Sequence, residues 1–354
     1  MDEHAHVGLF IAPGKAVAVW TGSEADAAVL GHLSITPTEE EPAAIALQAA
    51  RAVRRQGLLF EEVFIAIDCG YYTQYKLHSE FDDYHQIEST IKFDAEEAAA
   101  MDAMNLAVTF DITGKSPTGS EVTVYTADRQ LLTDILLDVQ EGGLDPTLIE
   151  PDVSCLTQTL LQSAANAEIT DTLFIVLSSS NCYMIRSQAD FSPQARTFLI
   201  SNEQDITKVL AREVMLASGT SKPDQPLTSV VLFGQSENVD TEQLAQRTGL
   251  NVRSESTPPV LAPVLEETAD IAPHEIMIAY GAALSGSTRG RKTDFRRDFM
   301  PYQGRRKVLQ NSLRMIAISV TVLMVAVGVF FQLKSFRIRR DVGKLSTELV
   351  SEYK

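Results

Sequence analysis

One stretch of nineteen residues without a charged side chain, Met315–Leu333, constrains this chain more than any other feature. At about 1.5 Å per residue it forms a helix of about 28 Å, close to the roughly 30 Å of hydrocarbon in a bilayer. A helix buried in a protein core is usually amphipathic, whereas this stretch is apolar on all sides. Ser319 and Thr321 can bond to carbonyls one turn earlier, so their hydroxyls fit the same environment. The stretch predicts one transmembrane helix.

Charge divides the chain near the same place. Overall it has 30 Lys and Arg against 47 Asp and Glu, a net charge of −17. Residues 289–354 hold 15 basic and 5 acidic side chains, so residues 1–288 hold 15 basic and 42 acidic ones. A soluble part that acidic is a poor candidate for binding nucleic acid. We therefore predict a soluble domain (1–288), a basic juxtamembrane linker (289–314), the transmembrane helix (315–333) and a short amphipathic tail (334–354).

Three observations bear on the orientation of this arrangement. Basic residues flank the apolar stretch on both sides, so the positive-inside rule does not decide it. The first residues, MDEHAHVGLF, lack the basic region and apolar core of a signal peptide. The cysteines are three and widely spaced, which argues for a reducing compartment: Cys69, Cys155 and Cys182. We expect a single-pass protein of a bacterial inner membrane, with the N-terminal domain in the cytoplasm and the tail in the periplasm.

The soluble part opens with a hairpin pattern that occurs again later. Apolar stretches at Val7–Ile11 and Ala16–Trp20 flank Pro13-Gly14, which suits a turn that needs a fixed φ and then a positive φ. The second pattern is Leu173–Leu177, a short polar loop and Cys182–Arg186. Both begin with Leu-Phe-Ile and lead on to further strand and helix patterns. The repetition predicts two duplicated α/β halves.

Other elements follow from hydrophobic periodicity. A small α/β insertion is predicted at about 76–150, and it would contain the helix Asp83–Met101 and the strands Leu106–Thr113 and Glu121–Ala127. Further helices are predicted at Pro42–Gln56, Asp128–Gly142, Glu203–Ala217, Thr241–Thr248 and Glu275–Leu284. Further strands are predicted at Val63–Ile67, Leu148–Glu150 and Ser229–Phe233.

The order of these elements over Val7–Ser285 resembles the PilM family of type IV pilus assembly and the GspL family of type II secretion. The most specific stretch is Glu121–Ser154, which is similar to the segment where the family's insertion returns to the main body. Val230–Gly234 and Ile278–Leu284 are similar to the family's adenosine-side glycine strand and terminal helix. The resemblance implies an α/β fold: a duplicated actin-like (ribonuclease-H-like) two-lobed domain with a small α/β insertion, followed by one transmembrane helix.

The chain departs from actin-like ATPases where these carry Asp-x-Gly at the turn of each hairpin. The acid orders the Mg²⁺ shell and the glycine lets backbone amides approach phosphate. Phe10 and Val176 stand where those acids are expected. We therefore predict no hydrolysis and no cofactor, while ATP binding without turnover stays open. A degenerate nucleotide site would use the remaining candidates: Gly14, Lys15, Ser178, Ser179, Ser180 and Gly234. A turn lysine and a serine loop are more often solvated connections.

The linker contains a candidate partner-binding peptide, Phe299-Met300-Pro301-Tyr302, followed by basic residues. It resembles the short peptide that PilM-type proteins grip ahead of a separate protein's membrane helix. Proline disfavours helix at Met300, which suits an extended peptide in a groove. Equally open is a linker whose Phe and Tyr lie at the lipid interface.

The resemblance implies a non-enzymatic assembly-platform component of a type IV pilus or type II secretion system. Its expected partners are other platform proteins and a cytoplasmic assembly ATPase, and a dimer stays open. An actin-like ATPase is one alternative, and a single-pass signalling protein is the other. No metal site is expected, because a solvated surface is favoured for the one polar cluster near a predicted loop: His78, Asp82, Asp83 and His85.

Overall fold

The computed structural model describes residues 5–22, 28–37, 40–57, 60–163, 171–187, 192–201, 204–219, 226–266, 271–287 and 292–352. It contains two compact units, Met1–Pro301 and Tyr302–Lys354. The first unit therefore extends beyond the boundary at residue 288 that the sequence predicts. It takes in residues 292–301, which the sequence assigns to the linker.

The first lobe of unit one is built on a five-stranded sheet. Its strands are β1 (Ala5–Ala12), β2 (Lys15–Gly22), β3 (Val29–Ile35), β4 (Phe60–Ile67) and β8 (Leu148–Pro151), in the order β3-β2-β1-β4-β8. The first three strands run antiparallel, and β4 and β8 add in parallel. The predicted hairpin is confirmed, because β1 pairs with β2 and Gly14 has the positive φ of 72° that its turn requires.

The second lobe has the same topology. Its strands are β9 (Thr172–Leu177), β10 (Asn181–Arg186), β11 (Gln194–Leu199), β12 (Ser229–Gly234) and β13 (Asn251–Ser254), in the order β11-β10-β9-β12-β13. Again three antiparallel strands are followed by two parallel ones. The equivalent orders confirm the predicted duplication.

A third, three-stranded antiparallel sheet is inserted in the sequence of the first lobe, between β4 and β8. It comprises β5 (Tyr72–Ser79), β6 (Leu106–Ser116) and β7 (Gly119–Asp128), in the order β5-β7-β6, with α2 (Tyr84–Ala99) packed on it. The predicted insertion, 76–150, is therefore displaced. Helix α3 (Arg129–Glu141) packs on α1 (Pro42–Arg55), and β8 pairs with β4, so both belong to the first lobe.

Besides a 3-10 helix at Pro259–Leu261, seven further α-helices are described: α4 (Asp152–Ser163), α5 (Ile206–Gly219), α6 (Thr241–Thr248), α7 (Ala262–Glu266), α8 (Pro273–Leu284), α9 (Arg296–Phe299) and α10 (Gly304–Glu352). Helix α6 has the predicted bounds. The predicted helix Glu203–Ala217 starts outside the described residues, and the structure has α5 there. Strands β3, β11 and β13 and helices α4, α7 and α9 were not predicted.

Helix α8 lies against both β1 and α4, and two glycines permit the contact. A Cβ on Gly8 would lie 2.0 Å from the carbonyl oxygen of Ala279. A Cβ on Gly281 would lie 1.9 Å from the carbonyl oxygen of Cys155. Such distances exclude any side chain. The two helices thus pack backbone to backbone, in a core that residues of both lobes share.

The second unit is dominated by α10, which runs through the apolar stretch that the sequence predicts as transmembrane. Within it, Arg314–Lys344 contains an 18-residue window with a mean hydropathy of 2.4 and is long and apolar enough to cross a membrane. Ser319 and Thr321 bond to carbonyl oxygens four residues earlier, as predicted.

Candidate functional site

The turn of the first hairpin carries two of the predicted site residues, Gly14 and Lys15. The Nζ of Lys15 lies 2.6 Å from Oε2 of Glu275 in the first turn of α8. Glu275 also accepts from the backbone N–H of Ala272, 3.0 Å away. Lys15 therefore joins the hairpin to α8, and its charge is offset by a carboxylate.

The serine loop of the second hairpin is folded on itself. The Oγ of Ser178 accepts hydrogen bonds from the backbone N–H groups of Asn181 (2.8 Å) and Ser180 (3.3 Å). Ser179 and Ser180 are exposed. A cavity of about 480 Å³ adjoins Ser178 and Ser179, and the charged side chains among its described lining residues are the carboxylates of Asp205 and Glu237. Such a lining is poorly suited to phosphate.

Gly234 ends β12 with a φ of 81°. A Cβ there would lie 2.2 Å from the carbonyl oxygen of Leu177, the last residue of β9. The close approach of the ends of β9 and β12 therefore explains why this position is a glycine.

Phe10 and Val176, which replace the expected acids, are both core residues. Phe10 is 2% exposed and Val176 is fully buried. The Phe10 and Val176 side chains pack in one hydrophobic cluster that extends through both lobes. The two positions therefore contribute apolar packing, where a metal-binding site would require carboxylates.

A polar cluster that the sequence did not predict connects the lobes. Asp152, at the start of α4, accepts from the hydroxyls of Tyr72 (2.6 Å) and Tyr183 (2.7 Å) and from the backbone N–H of Cys69 (2.8 Å). Asp68 accepts from the amide of Asn181, 3.4 Å away. Since Tyr183 and Asn181 belong to the second lobe, this cluster bridges both.

Burial controls the protonation of this cluster. Burial, together with the nearby Asp68 carboxylate, raises the pKa of Asp152 to about 8. Burial also raises the pKa of Asp68 and that of the Cys69 thiol. Ligand atoms of Asp68, Cys69 and Asp152 lie within 4.8 Å of one another. Since a protonated thiol is a weak ligand and Asp152 already accepts three hydrogen bonds, the arrangement suits a hydrogen-bonded bridge better than a metal site.

One sequence feature points to part of this cluster. Asp68 and Asp152 each directly follow a strand, β4 and β8. The carboxyl ends of parallel neighbours meet at one edge of a sheet, so the two acids were predictable neighbours. The contact of Tyr183 with this cluster could not be predicted, because it depends on how the two lobes pack together.

The second candidate site is the docked segment, residues 292–301. It covers the edge strand of the first sheet: the Phe295 N–H donates to the Ile149 carbonyl at 2.9 Å, and the Ile149 N–H donates to the side-chain Oδ1 of Asp294 at 3.1 Å. Asp298 accepts from Val108 N–H at 3.1 Å, on the edge strand β6 of the insertion sheet. The segment therefore bridges the first lobe and the insertion.

Side chains reinforce this docking. Phe295 is fully buried and Phe299 is 8% exposed. Two ion pairs join the segment to α2: Asp298 pairs with Lys92 of this helix at 2.7 Å, and Arg297 pairs with its Glu88 at 2.9 Å. A further pair joins Arg296 to Asp145 at 3.0 Å.

The predicted extended conformation of this peptide is wrong for its first part. Arg296–Phe299 forms the short helix α9, because Asp294 accepts from the Arg296 N–H and so starts a turn. The effect of proline is as predicted, since α9 ends before Met300, whose φ is −146°. Met300 is 37% exposed, Pro301 is exposed, and Tyr302 begins the second unit.

No family model matches this chain, and no curated protein does. Among solved structures, a chain of the PilM-PilN type IV pilus biogenesis complex aligns with a TM-score of 0.63 and 17% identity, covering 80% of this chain and 99% of that one. The cytoplasmic domain of EpsL, an inner membrane component of the type II secretion system of Vibrio cholerae, aligns with a TM-score of 0.51 and 11% identity, covering 82% and 97%. At these identities the likeness establishes the fold. The chain has the duplicated actin-like fold that it shares with these pilus and secretion proteins.

Proposed function

We propose that this chain is a non-enzymatic inner-membrane platform component of a type IV pilus or type II secretion machine. The actin-like domain lies in the cytoplasm and recruits other machine parts, including the assembly ATPase. Helix α10 spans the membrane and couples the domain to periplasmic partners. The likeness in fold supports this, because one neighbour belongs to a pilus biogenesis complex and the other to a secretion system.

The docked segment is the observation that carries the proposal. It bonds to the edges of two sheets and leaves only Tyr302 and Gln303 before α10 begins at Gly304. Only two residues of the chain therefore separate the docked segment from the apolar helix. A short connection of this kind suits a protein that couples parts on the two sides of a membrane.

The state of the nucleotide-site candidates supports a non-enzymatic role. Lys15 is paired with Glu275, and Ser178 bonds within its own loop. Phe10 and Val176 offer no carboxylate to order a metal ion, on which phosphoryl transfer in this architecture depends.

A genetic experiment tests the proposal. Deleting the gene from its host should abolish pilus assembly or the secretion of a reporter protein, and the wild-type chain should restore it. If no catalysis is involved, the variants Lys15→Ala and Ser178→Ala should restore assembly or secretion as well as the wild-type chain does. Immunoblots check that all three proteins are present in equal amounts. Normal pili and normal secretion in the deletion strain would show that the chain has another role.

A further inference from the structure

Strand β11 is the last strand of the second sheet within the described residues, and its outer edge is engaged by a single side chain. The amide oxygen of Gln74 accepts from the Thr197 N–H at 3.1 Å, and the amide nitrogen donates to the Ala195 carbonyl. These two backbone groups flank Arg196 and face away from β10. A parallel neighbouring strand would bond to the same two groups. Gln74 therefore occupies the place of one residue of a sixth strand.

There is room for more than this one side chain along the edge. A cavity of about 510 Å³ lies between β5 and β11, lined by Thr73, Gln74 and Lys76 on one side and by residues 196–199 on the other. Leu199 at the end of β11 is 74% exposed. A smaller cavity of about 110 Å³ shares Lys76 and Arg196 and continues toward the apolar Leu216. An accessible, partly apolar edge of this kind is a template for strand pairing.

Charge at this edge is opposite to that of the domain as a whole. The Glu213 carboxylate is shared by two guanidinium groups, those of Arg196 and Arg212. Lys76 and Arg186 also line the cavities and add positive charge. Residues 1–288 carry 42 acidic against 15 basic side chains, so this groove is a basic site on an acidic domain. It favours a ligand with carboxylates.

We propose that the outer edge of β11 binds an extended, acidic segment of a partner protein, which displaces the Gln74 side chain and adds to the second sheet as a parallel strand. Backbone hydrogen bonds to Ala195 and Thr197 supply affinity, and carboxylates facing Lys76 and Arg196 supply selectivity. This goes beyond the proposed function, because the site is on the second lobe and is separate from the docked segment.

The probe for the test is a fluorescein-labelled peptide with four Glu-Val repeats, added to the full chain in detergent and followed by fluorescence anisotropy. Gln74→Ala should bind it about fivefold more tightly, because the peptide no longer displaces existing hydrogen bonds. Lys76→Glu, an exposed position, should bind about fivefold more weakly. Gln86→Ala, on the exposed face of α2, is the matched control and should bind like wild type. Urea unfolding checks that each variant folds.

Hydrogen exchange identifies the binding edge. The Glu-Val peptide should slow exchange at residues 195–199, and a version with an N-methyl group on every amide should not bind. Equal affinity of wild type and Gln74→Ala, equal binding of a Lys-Val peptide, or unchanged exchange at 195–199 would each overturn the proposal. Sedimentation tests a further alternative. If Gln74→Ala self-associates and the Glu-Val peptide does not block this association, a second copy of the chain is the occupant, and the proposal is overturned as well.

Discussion

The hydroxyl of Tyr183 donates a hydrogen bond of 2.7 Å to the carboxyl of Asp152, joining a strand of the second lobe to the residue that directly follows β8 of the first. Both side chains are fully buried. The same carboxyl accepts from Tyr72, so groups of the protein itself connect the lobes at this point.

Tyr183→Phe should therefore destabilise the first unit. It leaves the ring in place and removes one donor from a buried carboxyl, which should lower the free energy of unfolding by about 1–3 kcal/mol. Urea denaturation of the full chain in detergent measures this. The matched control is Tyr75→Phe, on β5, whose hydroxyl makes no hydrogen bond among the described residues. Equal loss of stability in both variants would mean that the Asp152 contact is not special.

Buried acids give the fold a pH dependence of defined sign. Burial raises the pKa of Asp152 to about 8 and that of Glu150 to about 7. The folded chain thus keeps protons that the unfolded chain releases near pH 4, so the contribution of these groups to stability falls as the pH rises from about 4 to about 8.

Asp152→Asn removes the contribution of the Asp152 carboxyl to the pH dependence of stability. The drop in free energy of unfolding between about pH 5 and about pH 8 should be smaller in this variant than in wild type. Comparing two chains cancels the opposite contribution of His274, whose pKa burial lowers to about 4. Asp94→Asn, an exposed change on α2, should keep the wild-type profile. The same slope in Asp152→Asn would show that this carboxyl is ionised throughout.

The docked segment should open when its apolar anchor is removed. Phe299→Ala deletes a side chain that is only 8% exposed, and burial of Phe contributes about 1.5–3 kcal/mol. Amide exchange of Phe295, Met300 and Val108, which all bond within or to the segment, should become faster. Met300→Ala is the control, since its side chain is 37% exposed and should matter less. Unchanged exchange in Phe299→Ala would favour an anchor in lipid.

The chain should show no Mg²⁺-dependent ATP turnover. Phe10→Asp should not create it, because Val176 leaves the second hairpin without its acid, and a carboxylate at this buried position should destabilise the fold. Phosphate release from the full chain in detergent measures turnover. Activity that Ser178→Ala abolishes would contradict the prediction.

Protease protection should show that the chain lies in the membrane in a single orientation, with its first unit on the cytoplasmic side. In cells with a permeabilised outer envelope, protease should remove only residues beyond Leu333 and leave residues 1–301 intact. The acidic first unit then lies in the cytoplasm. Digestion of that unit in inner-membrane vesicles of native orientation would reverse the assignment.

Much of this structure could be predicted from the sequence alone, because it depends on interactions between residues that are close along the chain. Apolar stretches on either side of a short turn predicted the hairpins, helical patterns predicted α1 and α6, and Pro13-Gly14 predicted a turn with positive φ. The absence of charge over Met315–Leu333 predicted a long apolar helix, and α10 contains it. These features depend on residues within a few positions of one another, so the chain determines them without its fold.

Edge elements and the interlobe bridge could not be predicted in that way. Strand β3 contains Gly31, which weakens its pattern, and the glycine is required because a Cβ there would lie 2.4 Å from the Trp20 ring. Lys15 was a candidate phosphate ligand by position, but its partner Glu275 is 260 residues away. Contacts of such separation depend on how two sheets and two helices pack.

The sequence by itself therefore determined the duplicated halves, the apolar helix and the loss of both hairpin acids. Tertiary structure alone decided that Asp152 meets Tyr183, that Gln74 occupies the edge of β11, and that residues 292–301 belong to the domain rather than to a linker. The reason is physical: periodicity and turn chemistry act along the chain, whereas burial and hydrogen bonding at these sites arise only when distant segments exclude water together.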